Sequence, residues 1–351
     1  MAAMTSPSSV RPGLPERLVV VRLGAIGDVA NALVFAAAVK EARPDAHVGW
    51  VVHPLAAPLV QGHPCIARLH VWRRGGGLGE FLRLVRELRG ERYELAIDLQ
   101  RLQKSAALAR LSGAPRVLGF ERAHVKEASW IWTGERIAPG PGAVHRVEHY
   151  LAAARHLGCE AREPRHLFPR DEAAERWAES LVGELGAAPV LVSLGASKPA
   201  NRWAPERFGA LARALVDQLH VPVCFAGGPE DRAAAERAQA ASGGVARDLA
   251  GRTTLLELLA LARRARLFVG CDTGPMHLAA AVRTPVVALF GPADPARTGP
   301  WGAQHRVLRV PPACAPCHRK TCNQPRHACM EDITVELVLA AARERLARVA
   351  S

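Results

Sequence analysis

The sequence predicts an α/β protein with two doubly wound, Rossmann-like domains. Three observations predict it: short apolar runs that suit buried strands, helical runs alternating with them, and a second cycle of the same grammar starting near the middle of the chain. Continuous apolar strands belong to parallel sheets covered by helices on both faces. The 351 residues, 49% of them hydrophobic, suffice for two domains of about 150 residues, each with its own core.

The first cycle opens with the buried-strand pattern Arg17-Leu-Val-Val-Val-Arg22, the Gly-rich turn Leu23-Gly-Ala-Ile-Gly-Asp28 and a helical run over 29–41. Strands over 46–52 and 95–99 flank a helix over 78–89, and a helix over 148–157 leads into the charged, Pro-containing stretch 160–169, which reads as a linker. The second cycle begins with Pro189-Val-Leu-Val-Ser193, a polar loop over 194–202 and a helix over 204–218 with Pro205 in its first turn. A strand over 221–226 ending at Gly227-Gly228-Pro229 follows, then a helix over 254–265, a strand over 267–270, the turn at Asp272, and a strand over 286–290. The resulting division is a Ser/Pro-rich tail over 1–16, a first domain over 17–165, a second over 166–335, and a C-terminal helix over 336–351 placed to cross back to the first domain. Ligands gather at the carboxyl ends of parallel strands, so the two sheets are expected to face each other across a cleft.

A formal charge of +13 favours an anionic partner. Aromatic residues make up 5% of the chain, without the aromatic-basic interleaving that stacks single-stranded bases, so nucleic acid is not expected. No apolar run reaches the roughly 18 residues of a membrane span. The expectation is a soluble, cytoplasmic protein.

Four constellations can carry chemistry. In Asp272-Thr273-Gly274-Pro275-Met276-His277 a strand ends, Asp272 or Thr273 can cap a helix, Gly274 permits close approach and Pro275 presets the first turn. Backbone N–H groups there, aided by the helix dipole, suit a diphosphate, although an ordinary capped helix has the same spacing. In the loop Gly195-Ala-Ser197-Lys198-Pro-Ala-Asn-Arg202-Trp203, the two cations can neutralise a diphosphate leaving group as a metal ion otherwise would. Trp203 reads as core packing. Asp28 either starts a helix or acts as a general base, and the turn before it lacks the full three-glycine dinucleotide fingerprint. Asp98-Leu-Gln100 with Lys104, Arg122, Lys126 and Arg146 adds cations that suit an acceptor carrying phosphates or carboxylates.

Together these motifs, in this order with Gly227-Gly-Pro-Glu230, resemble glycosyltransferase family 9, the ADP-heptose:lipopolysaccharide heptosyltransferases, from Arg17 to about Ala347. The resemblance implies a GT-B fold and inverting, metal-independent transfer of a heptose from ADP-heptose to the lipopolysaccharide inner core. It assigns Asp28 as catalytic base; Ser197, Lys198, Arg202, Glu230, Asp272, Thr273, Gly274, Met276 and His277 to the donor; and Lys104, Lys126 and Arg146 to the acceptor. It implies an anionic glycolipid acceptor, a monomer and a location peripheral to the inner membrane face. A family member using another nucleotide sugar or glycan, a non-catalytic nucleotide-binding module and an NAD-dependent dehydrogenase are the competing readings.

Of eight cysteines, Cys65, Cys159, Cys224 and Cys271 stand in apolar surroundings, whereas Cys314, Cys317, Cys322 and Cys329 fall in one short segment. Those four could hold a structural zinc ion, with His318 or His327 as substitute ligands, or remain reduced thiols.

Overall fold

The computed structural model describes residues 13–349, so most of the expected tail lies outside the described residues. The first sheet consists of β1 (Arg17–Val21), β2 (His47–Val52), β3 (Arg68–Val71), β4 (Leu95–Asp98), β5 (Arg116–Phe120) and β6 (Glu135–Ile137). The second holds β7 (Val190–Ser193), β8 (Val223–Ala226), β9 (Arg247–Asp248), β10 (Leu267–Cys271), β11 (Val286–Leu289) and β12 (Arg306–Leu308).

Strand order is β3-β2-β1-β4-β5-β6 in one sheet and β12-β11-β10-β7-β8-β9 in the other, and every pairing is parallel. Counted within its own sheet, each follows the same order, 3-2-1-4-5-6. Its switch points, where ligands collect, lie between β1 and β4 and between β7 and β10. The central strands β1, β4, β7 and β10 are buried almost throughout, which is why they are written as apolar runs.

Contacts divide the chain into two compact units. The first holds 1–24, Ala32–Ala143 and Val147–Leu167; the second holds Ala25–Asn31, Val144–Arg146 and Phe168–Ser351. Two short segments that precede residue 168 therefore cluster with the second unit. The C-terminal helix Val335–Val349, expected to return to the first domain, instead buries Val338, Ala341, Ala342 and Leu346 in the core beneath the second sheet, among Val192, Phe208 and Val269. Its apolar face matches a surface left open by the helix Pro205–Leu219, so burial decides its place.

Candidate active site

At the β1/β4 switch point a chain of hydrogen bonds shapes the first turn. The Asp98 carboxylate accepts from the backbone N–H groups of Gln100 at 3.0 Å and Arg101 at 3.2 Å. The Gln100 side-chain carbonyl in turn accepts from Leu23 N–H at 2.9 Å and Gly24 N–H at 3.3 Å. The Asp-Leu-Gln motif is thus a brace for the Gly-rich turn. Burial pushes the Asp98 carboxyl up to about 6, against the pull of Ser105, these two N–H groups and Arg22.

The helix that follows β1 spans Ile26–Ala42 and starts three residues before its expected beginning, so Asp28 lies inside its first turn, half-buried. This turn belongs to the second unit. A Cβ on Gly27 would sit 2.4 Å from Cδ2 of His277, and one on Gly274 would sit 3.1 Å from Cβ of Ile26. Gly27 is glycine because an imidazole occupies the space a side chain would need. The Asn31 amide donates to Nδ1 of His277 at 3.2 Å, which leaves the ring proton on Nε2, 3.7 Å from an Asp272 carboxylate oxygen.

At the β7/β10 switch point Thr273 caps the helix Gly274–Ala281, its hydroxyl accepting from Met276 N–H at 3.4 Å. Pro275 has no N–H, so Gly274 supplies the donor of this first turn. The fully buried Met276 side chain packs in the core with Phe268 and Phe290. The Asn201 amide donates to Asp272 at 3.3 Å, joining the loop after β7 to the turn after β10.

On that loop Ser197 and Arg202 are exposed and Lys198 is half-buried, with Arg202 Nε donating to Ala196 O at 3.1 Å. Trp203 is buried as expected, its indole N–H donating to Ile333 O at 2.9 Å. Glu230 is exposed and folds its carboxylate over Gly228. The adjoining Asp231 accepts from Gly228 N–H at 2.9 Å, and its carboxylate fills the space a Cβ on Gly195 would take. Burial holds its carboxyl above the ordinary value.

Among the acceptor candidates, Lys104 and Lys126 are exposed on the first unit. Arg146 clusters instead with the second, beside His145, whose Nε2 pairs with Gly299 O at 2.9 Å. Burial holds His145 below the ordinary histidine value, against the pull of that carbonyl, and the charges of His277 and Arg146 add to the lowering. Sequence reasoning gave no role to Asn31, His145, Asn201 or Asp231. The partners of Asn31, His145 and Asn201 lie far along the chain, and Asp231, bonded to nearby Gly228, also fills the space beside the distant Gly195; only a polar residue beside each motif hinted at them.

Cys314, Cys317, Cys322 and Cys329 line one cavity of about 100 Å³ together with His327. Burial and, next, the facing Cys322, Cys317 and Cys314 push the Cys329 thiol up to about 11. Among the described residues no three of His, Cys, Asp or Glu are arranged to hold a metal ion.

The sequence model of glycosyltransferase family 9 (heptosyltransferase) matches residues 81–327. The chain belongs to glycosyltransferase family 9. A lipopolysaccharide heptosyltransferase 1 of Pseudomonas aeruginosa is 30% identical over 319 residues, 87% of each protein. The lipopolysaccharide core heptosyltransferase OpsX of Haemophilus influenzae is 26% identical over 298 residues, 84% of this chain and 85% of its own. The family fold extends to solved structures: Escherichia coli ADP-heptose lps heptosyltransferase II superposes with a TM-score of 0.77 at 24% identity, over 95% of this chain and all of that one. The family 9 chain is accordingly a glycosyltransferase of the GT-B class.

Proposed function

We propose that this glycosyltransferase moves a heptose from ADP-heptose to the inner core of lipopolysaccharide, with inversion and without a catalytic metal. The relatives' names supply the substrates of the reading. One observation in this chain carries it: the turn bearing Asp28 clusters with the helix terminus at Gly274, with Gly27 against His277. A carboxylate is thereby brought into the same unit as an anion-binding helix end.

In this reading the acceptor hydroxyl oxygen attacks the anomeric carbon as its bond to the diphosphate breaks, which inverts that carbon in one displacement. Asp28 takes the hydroxyl proton. The charge gathering on ADP is met by Lys198, Arg202, the Gly274 N–H and the helix dipole. A carboxylate repels phosphate but accepts from hydroxyls, so Asp272 suits the sugar of the donor, with Ser197 and Thr273 as neutral neighbours. Glu230, exposed at the end of β8, would accept from the nucleotide ribose. Lys104, Lys126 and Arg146 would meet the anionic acceptor. No helix among the described residues is long and apolar enough to cross a membrane, and the charge of +13 favours peripheral attachment to an anionic membrane face. The reading takes the protein to act as a monomer.

A panel of nucleotide sugars, followed by nucleotide release with and without chelator, tests the reading. ADP release from ADP-heptose that needs a core acceptor and survives chelation is expected; preference for another donor overturns the substrate. Asp28→Ala should nearly abolish turnover and keep ADP affinity. Lys198→Ala should weaken ADP binding and slow turnover by roughly 100-fold or more, and unchanged ADP affinity would take the lysine out of the site.

A further inference from the structure

Between β12 and the short helix at Ala328–Glu331 the chain runs for nearly twenty residues without regular structure. Apart from Val310 this stretch has no large apolar side chain to bury. A segment of that composition gains little from the hydrophobic effect to offset the entropy of ordering it. Four cysteines near it nevertheless converge on one cavity, although Cys314 and Cys322 are exposed and no core draws them there. His327 lines the same cavity, and its Nε2 is buried with no hydrogen-bond partner.

From this we infer that Cys314, Cys317, Cys322 and Cys329 bind a thiophilic divalent metal ion such as zinc, and that the bound ion braces the donor-side loop after β7 and the turn after β11 next to it. The donor set is the soft, four-sulfur one such ions select, with the His327 nitrogen at hand to ligate or to donate to a thiolate. Cys329 is held by the core, but as neutral thiols Cys314, Cys317 and Cys322 have no such reason to join it around one cavity, and among the described residues they are not yet closed on a point that would grip an ion. An ion deprotonates them, releases the protons to solvent and draws the sulfurs in.

The bracing follows from where this segment touches the fold. Lys320, between Cys317 and Cys322, accepts at its carbonyl from Ala200 N–H at 3.0 Å, midway between Lys198 and Arg202. The N–H of His318 donates to Pro292 O at 2.9 Å. Cys329 Sγ and Met330 Sδ lie against Gly291, where a Cβ would stand 3.0 Å and 2.4 Å from them. Fixing the sulfurs therefore fixes the carbonyl and the N–H that hold the loop after β7 and the turn after β11. The metal site rests on these residues alone; the bracing also rests on the donor-site reading above.

The test uses the full chain purified under reducing conditions. Elemental mass spectrometry should find about one zinc or iron ion per chain, and a chelator should remove it while exposing about four further reactive thiols. Calorimetry with ADP should then show roughly tenfold weaker binding, restored by the metal, the loss expected when a hydrogen-bonded strut is released. Cys322→Ser, at an exposed position outside the core, should lower metal occupancy and ADP affinity together. A metal-free chain whose thiols all react from the start overturns the site. Bound metal with ADP affinity indifferent to its removal overturns the bracing. A metal-loaded chain that binds no ADP in any form counts against the donor site instead and leaves the metal site standing.

Discussion

Replacing Gly27 with alanine is expected to remove most of the turnover while leaving the fold in place. The added methyl would stand 2.4 Å from Cδ2, 3.0 Å from Cγ and 3.2 Å from Cβ of His277, against a comfortable carbon separation of about 3.5–4.0 Å. Relief requires a shift of more than about 1 Å. The ring cannot simply swing away, because Asn31 holds its Nδ1 at 3.2 Å. Either the imidazole leaves Asn31 and Asp272, or the turn bearing Asp28 lifts. Overpacking of this kind costs about 1–3 kcal/mol, which is roughly 5- to 150-fold in rate if it falls on the reacting geometry. The assay is steady-state ADP release, with thermal unfolding alongside. Gly24→Ala is the matched control, since a Cβ there meets nothing within 4 Å. In a His277→Ala background the Gly27→Ala change should cost little more, because the clash has gone. Parental rates for Gly27→Ala, or an undiminished effect without the imidazole, would refute the reasoning.

The buried Asp98, with its carboxyl raised to about 6 from 3.8, binds a proton more tightly folded than unfolded. Its contribution to stability is therefore full below about 3.8 and is lost as pH rises through about 6. Asp98→Asn keeps an oxygen for the Gln100 and Arg101 N–H groups and does not ionise. Its melting temperature should gain on the parent between pH 4 and pH 7, and a difference that does not vary with pH would contradict the assignment. Trp203→Phe removes the indole donor from the Ile333 carbonyl, which keeps the Arg207 guanidinium at 3.0 Å, and denaturant unfolding should register the loss of one hydrogen bond, about 0.5–1.5 kcal/mol. Asn201→Leu severs the link to Asp272; weaker donor binding with little change in melting temperature is expected, and parental donor affinity would assign the link to stability alone.

Much of the fold was legible because burial on both faces leaves a plain mark. β1, β4, β7, β10 and β11 are apolar throughout or nearly so, and each was found from its run alone. The outer strands were not found, nor was β5 inside the first sheet, whose apolar run is short and interrupted by Gly119. β3 contains Arg68 and His70, β9 is Arg247–Asp248, and β6 and β12 are three residues each. A short strand with charged residues owes its conformation to a neighbour's ladder, and its own side chains record little of that.

The sequence by itself determined the two-cycle architecture, the positions of the turns at Gly24, Lys198, Glu230 and Asp272, and the gathering of four cysteines, because each is a local pattern that chain chemistry enforces. Tertiary structure alone decided what those turns meet. Gly27 makes room for an imidazole some 250 positions away, Gly195 makes room for Asp231, and the cysteine segment hangs from Ala200 and Pro292. The physical reason is the same in each case: a glycine or a backbone amide names no partner, and which group fills the space is settled only when distant strands are set side by side.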